Sequence, residues 1–198
     1  MPMVDDPALT THARRPNVLM ISTHDINPHL GCYTGVWPGA ELAHTPNLDA
    51  LASEGVRFDQ AIATTPVCGP SRSAVMTGCF PPSIGTMHMR TRAVPPAEVE
   101  LLPTYFRRAG YWTANSAFTD FQMDIPNPVL DAYGEQVHWR SRPDPGQPFF
   151  LAIHGMVTHE SSIYLDSERF AALTVDVTPD ERMPEAVVPI PPYHPDTP

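Results

Sequence analysis

The chain has 198 residues, 42% of them hydrophobic, and its 12 Lys+Arg against 22 Asp+Glu give a formal net charge of −10. An acidic balance leaves no basic face to neutralise a phosphate backbone, which argues against a nucleic-acid binder, and no apolar run approaches the ~18 residues of a membrane span. All twelve cations are arginines, so no lysine is available for chemistry.

In chain order, residues 1–15 form an N-terminal extension. Asp5 and Asp6 stand where an export signal would be basic, so a cytoplasmic location is expected. Asn17 to Ser22 is a continuous β-favouring run bounded by Pro16, which predicts a strand buried on both faces of a parallel sheet. Thr45 followed by Pro46 predicts a helix start, with Leu48, Leu51 and Ala52 on one face and Gly55 as the stop. Val56 to Ala63 alternates enough to predict a second strand. Ser71 to Thr77 then reads as a helix ended by Gly78, after a polar loop that carries Cys68.

Leu101 to Ala109 predicts a helix with Leu102, Tyr105, Phe106 and Ala109 as its buried stripe, followed by a short strand at Tyr111 to Asn115. Phe149 to Ile153 is a further buried strand. The alternation of strand and helix indicates an α/β fold with a mostly parallel sheet. In such sheets sites gather beyond the carboxyl ends of the strands. Two polar clusters lie there: Thr23-His24-Asp25 and Thr158-His159-Glu160-Ser161. The 25 prolines fall largely in surface-loop segments and in the closing stretch from Pro184.

Three cysteines, Cys32, Cys68 and Cys79, are too few and too scattered for a disulfide framework, and they fit no zinc knuckle. Cys68 precedes a helix start and is followed by Arg72. Both the helix dipole and the guanidinium would lower a thiol pKa, which predicts a reactive side chain; a small buried loop residue is the plainer alternative. Arg72 comes too soon after the cysteine for a phosphatase-type thiolate loop.

Cys68-Gly69-Pro70-Ser71-Arg72 with Thr77-Gly78 resembles the signature of the type I sulfatases. The likeness continues in Arg15-Pro16-Asn17-Val18-Leu19, Gly31-Cys32-Tyr33, His44-Thr45-Pro46-Asn47-Leu48-Asp49, Gly55-Val56-Arg57-Phe58 and Pro148-Phe149-Phe150. Ser83-Ile84-Gly85-Thr86, His88-Met89-Arg90, Asn115 and Thr119-Asp120-Phe121 resemble the branch that includes heparan N-sulfatase-like bacterial enzymes. The resemblance implies an alkaline phosphatase-like fold and hydrolysis of a sulfate ester or sulfamate, on a carbohydrate. It also implies that a formylglycine-generating enzyme converts Cys68 to formylglycine, the nucleophile.

The same resemblance implies calcium or another divalent metal, held by Asp25 and touched by the group at Cys68. His24 stands where the family has a second aspartate; it is either a metal contact or a hydrogen-bond donor to sulfate or formylglycine. Arg72 would hold the hydroxylated formylglycine through its planar fork. His159 would contact sulfate and protonate the leaving group. His88, Arg90 and Asp120 are candidates for substrate binding, His88 and Arg90 equally for surface-loop roles, and His154 for orienting a neighbour or satisfying a loop.

Two departures accompany these. A family Lys and His correspond to Phe118 and Asp120, and Cys79 stands where Arg or Lys is common. Residues 16–198 are expected to be the N-terminal part of a longer catalytic domain, with further metal ligands elsewhere and little turnover from this stretch alone. The alternatives are a phosphonate or phosphate monoester hydrolase of the same superfamily and a non-catalytic remnant.

Overall fold

The computed structural model describes residues 15–116, 119–124, 129–190, 193–195 and 197. The N-terminal extension 1–14 and Phe118 lie outside the described residues. In chain order the elements are β1 (Val18–Ser22), α1 (Pro46–Glu54), α2 (Cys68–Thr77), α3 (Pro81–Ile84), α4 (Leu102–Arg108), β2 (Trp112–Asn115), β3 (Ala132–Tyr133), β4 (Phe149–His154) and α5 (Ser167–Leu173), joined by short 3₁₀ turns. They fall into two compact units, Met1–Ser22 with Ala63–His154 and Thr23–Ile62 with Gly155–Pro198.

The first unit is built on a four-stranded, wholly parallel sheet of order β1-β4-β2-β3. Along β4, side chains alternate between two faces, and each face carries its own apolar cluster. Phe150 and Ala152 join Met76 of α2 with Leu101 and Phe121, and Leu102 and Phe106 of α4 pack against them. Phe149 and Leu151 join Trp112 and Ala114, with Trp139 and Val137 alongside. β4 therefore has the two covered faces that its uninterrupted apolar run predicts.

β1 does not. It pairs only with β4, and Leu19 and Ile21 remain exposed, at 44% and 61%. The parallel pairing holds but burial on both faces is corrected: in the described sheet β1 is an edge strand with one face uncovered. α4 follows the expected boundaries within a residue or two, although Tyr105 and Ala109 of the expected stripe are exposed while Leu101, Leu102 and Phe106 carry the packing.

In the second unit α1 packs on the 3₁₀ turn Gly31–Tyr33. Thr45 holds the cap position without capping the helix through its side chain. Its hydroxyl instead accepts from Gly31 N at 2.9 Å and donates to Asp49 Oδ1 at 2.9 Å. Gly31 approaches so closely that a Cβ there would strike the Asp49 carboxylate. The expected apolar face of α1 is exposed at Leu48 and Leu51.

Val56 to Ala63 is not a strand. Its polar groups are engaged singly: Tyr33 Oη donates to Phe58 O at 2.9 Å, and Arg57 pairs with Asp59 at 2.7 Å and reaches Cys32 O. Without a neighbouring ladder, alternation alone does not make a strand.

Candidate active site

Cys68 is the first residue of α2 rather than part of a preceding loop, because the helix begins three residues earlier than the sequence predicts. The preceding Val67 has φ 73°, a strained conformation for a β-branched residue. Gly78 closes the helix in the left-handed region, its N–H donating to Ala74 O at 2.8 Å. Thr77 and Cys79 complete that end: Thr77 Oγ1 donates to Ser73 O at 2.8 Å and accepts from Cys79 N at 3.2 Å. Cys79 thus belongs to the helix terminus.

The environment of Cys68 overturns the expected thiol pKa. Burial and the nearby Asp120 carboxylate push the thiol up, outweighing the backbone N–H groups that favour the thiolate. Asp120 itself occupies a left-handed backbone position, φ 49°. It is oriented by Gln122, whose Nε2 donates to Asp120 Oδ1 at 2.7 Å. Gln122 is buried, its Oε1 has no hydrogen-bond partner among the described residues, and its side chain fills the space that a Cβ at Gly69 would need.

Arg72 lies one turn along α2 from Cys68. Its Nε donates to Thr119 O at 2.8 Å, and its Nη1 donates to His154 Nδ1 at 2.9 Å. Burial lowers its pKa, while Asp120 and Cys68 act in the opposite direction; a guanidinium nevertheless stays charged. His154 is the last residue of β4 and is buried. Arginine can only donate, so His154 Nδ1 accepts and its ring proton belongs on Nε2, which donates to Asn115 Oδ1 at 3.0 Å. Ser22 Oγ donates to the same Nδ1 at 2.5 Å.

Sheet register explains this meeting. Ser22 is the direct partner of His154, and Asn115 ends the strand on the other side of β4, so three strand ends meet at His154, which contacts Arg72. His154, read from the sequence as orienting a neighbour or satisfying a loop, contacts Arg72 through Nδ1. Ser22 and Gln122 were not singled out by the sequence; the strand-end position of Ser22 was the available signal.

Arg90 and Asp120 line one cleft of this unit, together with Tyr133 and the segment 121–124. His88 is exposed on the same loop and is not part of that lining.

The second unit joins the two polar clusters that follow β1 and β4 in the chain. His24 N donates to Thr158 Oγ1 at 3.0 Å, and Glu160 N donates to Asp25 Oδ2 at 2.8 Å. The buried His24 ring meets His159 edge to face, with centroids 5.0 Å apart. His159 caps the 3₁₀ turn Glu160–Tyr164, its Nδ1 accepting from Ser161 N at 3.2 Å. That leaves Nε2 as the proton-bearing atom of the neutral ring. Asp25, like Asp120 and Arg90, has a positive φ.

Among the described residues no group of three or more His, Cys, Asp or Glu side chains gathers as a metal site. Asp25 and His24 bring a carboxylate and an imidazole from adjacent positions. They fall short of the six to eight oxygen ligands that calcium takes.

The family described as Sulfatase matches residues 16–127. An ulvan-active sulfatase of Formosa agariphila is 38% identical over 162 residues, covering 76% of this chain and 26% of that protein. The steryl-sulfatase of Mus musculus is 39% identical over 121 residues, covering 55% and 18%. The chain thus spans about a quarter of the length of the first of these relatives and less of the second. In three dimensions, BT4656, solved in complex with its substrate D-glucosamine-2-N,6-O-disulfate, matches with a TM-score of 0.62 at 22% identity, over 82% of this chain and 38% of that one. That likeness establishes the alkaline phosphatase-like fold expected from the sequence. With more than half of its residues matched by the family and its parallel sheet matched by the fold, the chain belongs to the sulfatase family.

Proposed function

We propose that this chain carries the nucleophile-bearing part of a sulfuric ester hydrolase that cleaves a sulfate ester or sulfamate on a carbohydrate. The observation behind the reading is the set of side chains around Cys68: an arginine one turn along, tied to Thr119 O and His154, and a carboxylate tied to Gln122. The glycan direction is supported by the ulvan-active relative and by the disulfated glucosamine bound to the structural neighbour.

Conversion of Cys68 by a formylglycine-generating enzyme would replace CH₂SH by CHO and release the sulfur as sulfide; the carbon gives up two electrons to dioxygen, an external thiol reductant gives the other two and becomes disulfide, and the second oxygen atom leaves as water. Once hydrated, the aldehyde supplies a hydroxyl nucleophile. Arg72, tied at Nε and Nη1 and one helical turn from position 68, would stabilise an oxyanion there through the charge of its guanidinium. Asp120, whose carboxylate lies near position 68, would accept a proton there. His159 holds a proton on Nε2 that can be shared with sulfate or a leaving oxygen. A divalent metal, calcium in the family reading, would take Asp25 with His24. The two donors do not complete a coordination shell, so no step here depends on it.

The test is the mass of the peptide around Cys68, from chain expressed with a formylglycine-generating enzyme. A loss of about 18 Da is expected, whereas the ordinary cysteine oxidation ladder adds oxygen. A thiol that remains unchanged would favour the non-catalytic remnant. If an enzyme containing this chain turned over aryl phosphate faster than aryl sulfate, the phosphate or phosphonate alternative would displace the sulfatase one.

A further inference from the structure

The hydrogen bonds behind Arg72 all run in one direction. Asn115 Nδ2 donates to Ser116 O at 3.1 Å, and a carbonyl can only accept, so Asn115 Oδ1 is the atom turned to His154 Nε2, 3.0 Å away. At the other end Arg72 Nη1, which can only donate, lies 2.9 Å from His154 Nδ1. Each end by itself places the ring proton on Nε2 and leaves Nδ1 an acceptor. Ser22 Oγ, 2.5 Å from Nδ1, brings a second donor to that atom. Asn115 and His154 are both buried, where an inverted tautomer would set donor against donor with no water to relieve it.

Arg72 has a second hold of a different kind. Its Nε donates to Thr119 O at 2.8 Å, in a segment outside any helix or strand. A planar fork held at one donor can turn about that bond, whereas a second hold fixes its plane. His154 supplies that second hold from the end of β4, the strand whose two faces carry the apolar clusters. It is therefore the anchor set in the rigid part of the unit, one helical turn of α2 away from position 68.

We propose that His154 is the positioning residue for Arg72, its Nδ1, kept an acceptor by the Asn115 amide, fixing the plane of the guanidinium. The consequence for chemistry at position 68 rests on the sulfatase reading, but the hold on Arg72 can be read without turnover.

The test is nuclear magnetic resonance of the isotope-labelled full chain, reading the ring nitrogens of His154 and the solvent exchange of Arg72 Nε–H. In the wild type at neutral pH, Nε2 is expected to carry a proton and Nδ1 none. His154→Asn puts an amide oxygen where Nδ1 stood; His154→Gln puts its amide where Nε2 stood, toward Asn115 and away from Arg72. Exchange at Arg72 is expected to stay within about three-fold of wild type in His154→Asn and to rise about ten-fold in His154→Gln and His154→Leu, the loss of one hydrogen bond to a charged group. A ring that only fills space would give the opposite order, because Gln and Leu keep most of its volume and Asn the least. Far-UV circular dichroism checks that each variant folds, and if His154→Leu does not, the Asn and Gln variants decide.

A wild-type ring protonated at Nδ1, exchange in His154→Asn as fast as in His154→Gln, or wild-type exchange in every variant would each overturn the proposal. If the Asn and Gln variants separate as expected while an enzyme containing this chain never releases sulfate, the positioning role stands and the sulfatase reading falls.

Discussion

Burial first, and after it the Asp120 carboxylate from a distant part of the sequence, hold the Cys68 thiol above its usual pKa. A carboxylate against a half-buried thiol opposes its ionisation, so unconverted Cys68 should alkylate with iodoacetamide more slowly at neutral pH than a free thiol, its rate rising at higher pH. Asp120→Asn removes the charge but not the burial; the rate midpoint is expected to move down in pH without reaching that of a thiolate at an open helix terminus. An unchanged profile would show that Asp120 does not govern the thiol. The folded state holds this proton more tightly than the unfolded chain. The associated stability is therefore complete below the unfolded thiol pKa and is lost as pH rises through the folded one.

At the scale of elements, the first turn of α2 is where backbone and site meet. Gly69 is required because the Gln122 side chain occupies the place of its Cβ, and Gln122 is in turn the side chain that orients Asp120. Gly69→Ala improves intrinsic helix propensity by roughly 1 kcal/mol, yet is expected to destabilise by about 1–3 kcal/mol through overpacking. Urea denaturation measures the balance, and a stabilised variant would show that Gln122 yields easily. The same substitution should shift the Cys68 alkylation profile in the direction of Asp120→Asn, because displacing Gln122 releases the carboxylate it holds.

Across the whole molecule, the described apolar clusters lie on the two faces of β4. Phe150, 1% exposed and stacked on Phe106 with ring centroids 4.5 Å apart, joins the sheet to α2 and α4. Phe150→Ala is expected to cost about 3–5 kcal/mol, a large fraction of the roughly 5–15 kcal/mol that keeps an ordinary domain folded, and to lower the urea midpoint accordingly. Much apolar surface stays outside these clusters, including Leu19, Ile21, Phe58 and Ile62. The chain alone should therefore bind the dye ANS while folded, and Leu19→Ser with Ile21→Ser should reduce that binding with little loss of secondary structure. Among the described residues no helix is long and apolar enough to cross a membrane.

The readable parts of this protein are those whose cause lies within a few residues. The Cys68–Arg72 pair shares one helical turn, the run Phe149–Ile153 carries its own burial pattern, and the polar residues beyond two strand ends mark their positions directly. Other features depend on segments far apart in the chain. Whether Val56–Ala63 could pair, which face of β1 was covered, and which side chain opposed the Cys68 thiol were not encoded locally. Ser22, Asn115 and His154 meet because parallel register sets three strand ends side by side, and Gln122 reaches Gly69 because its loop folds across the start of α2. Local sequence specifies torsions and periodicity; long-range pairing and burial select the neighbours, and the neighbours set the charge state and geometry of the site.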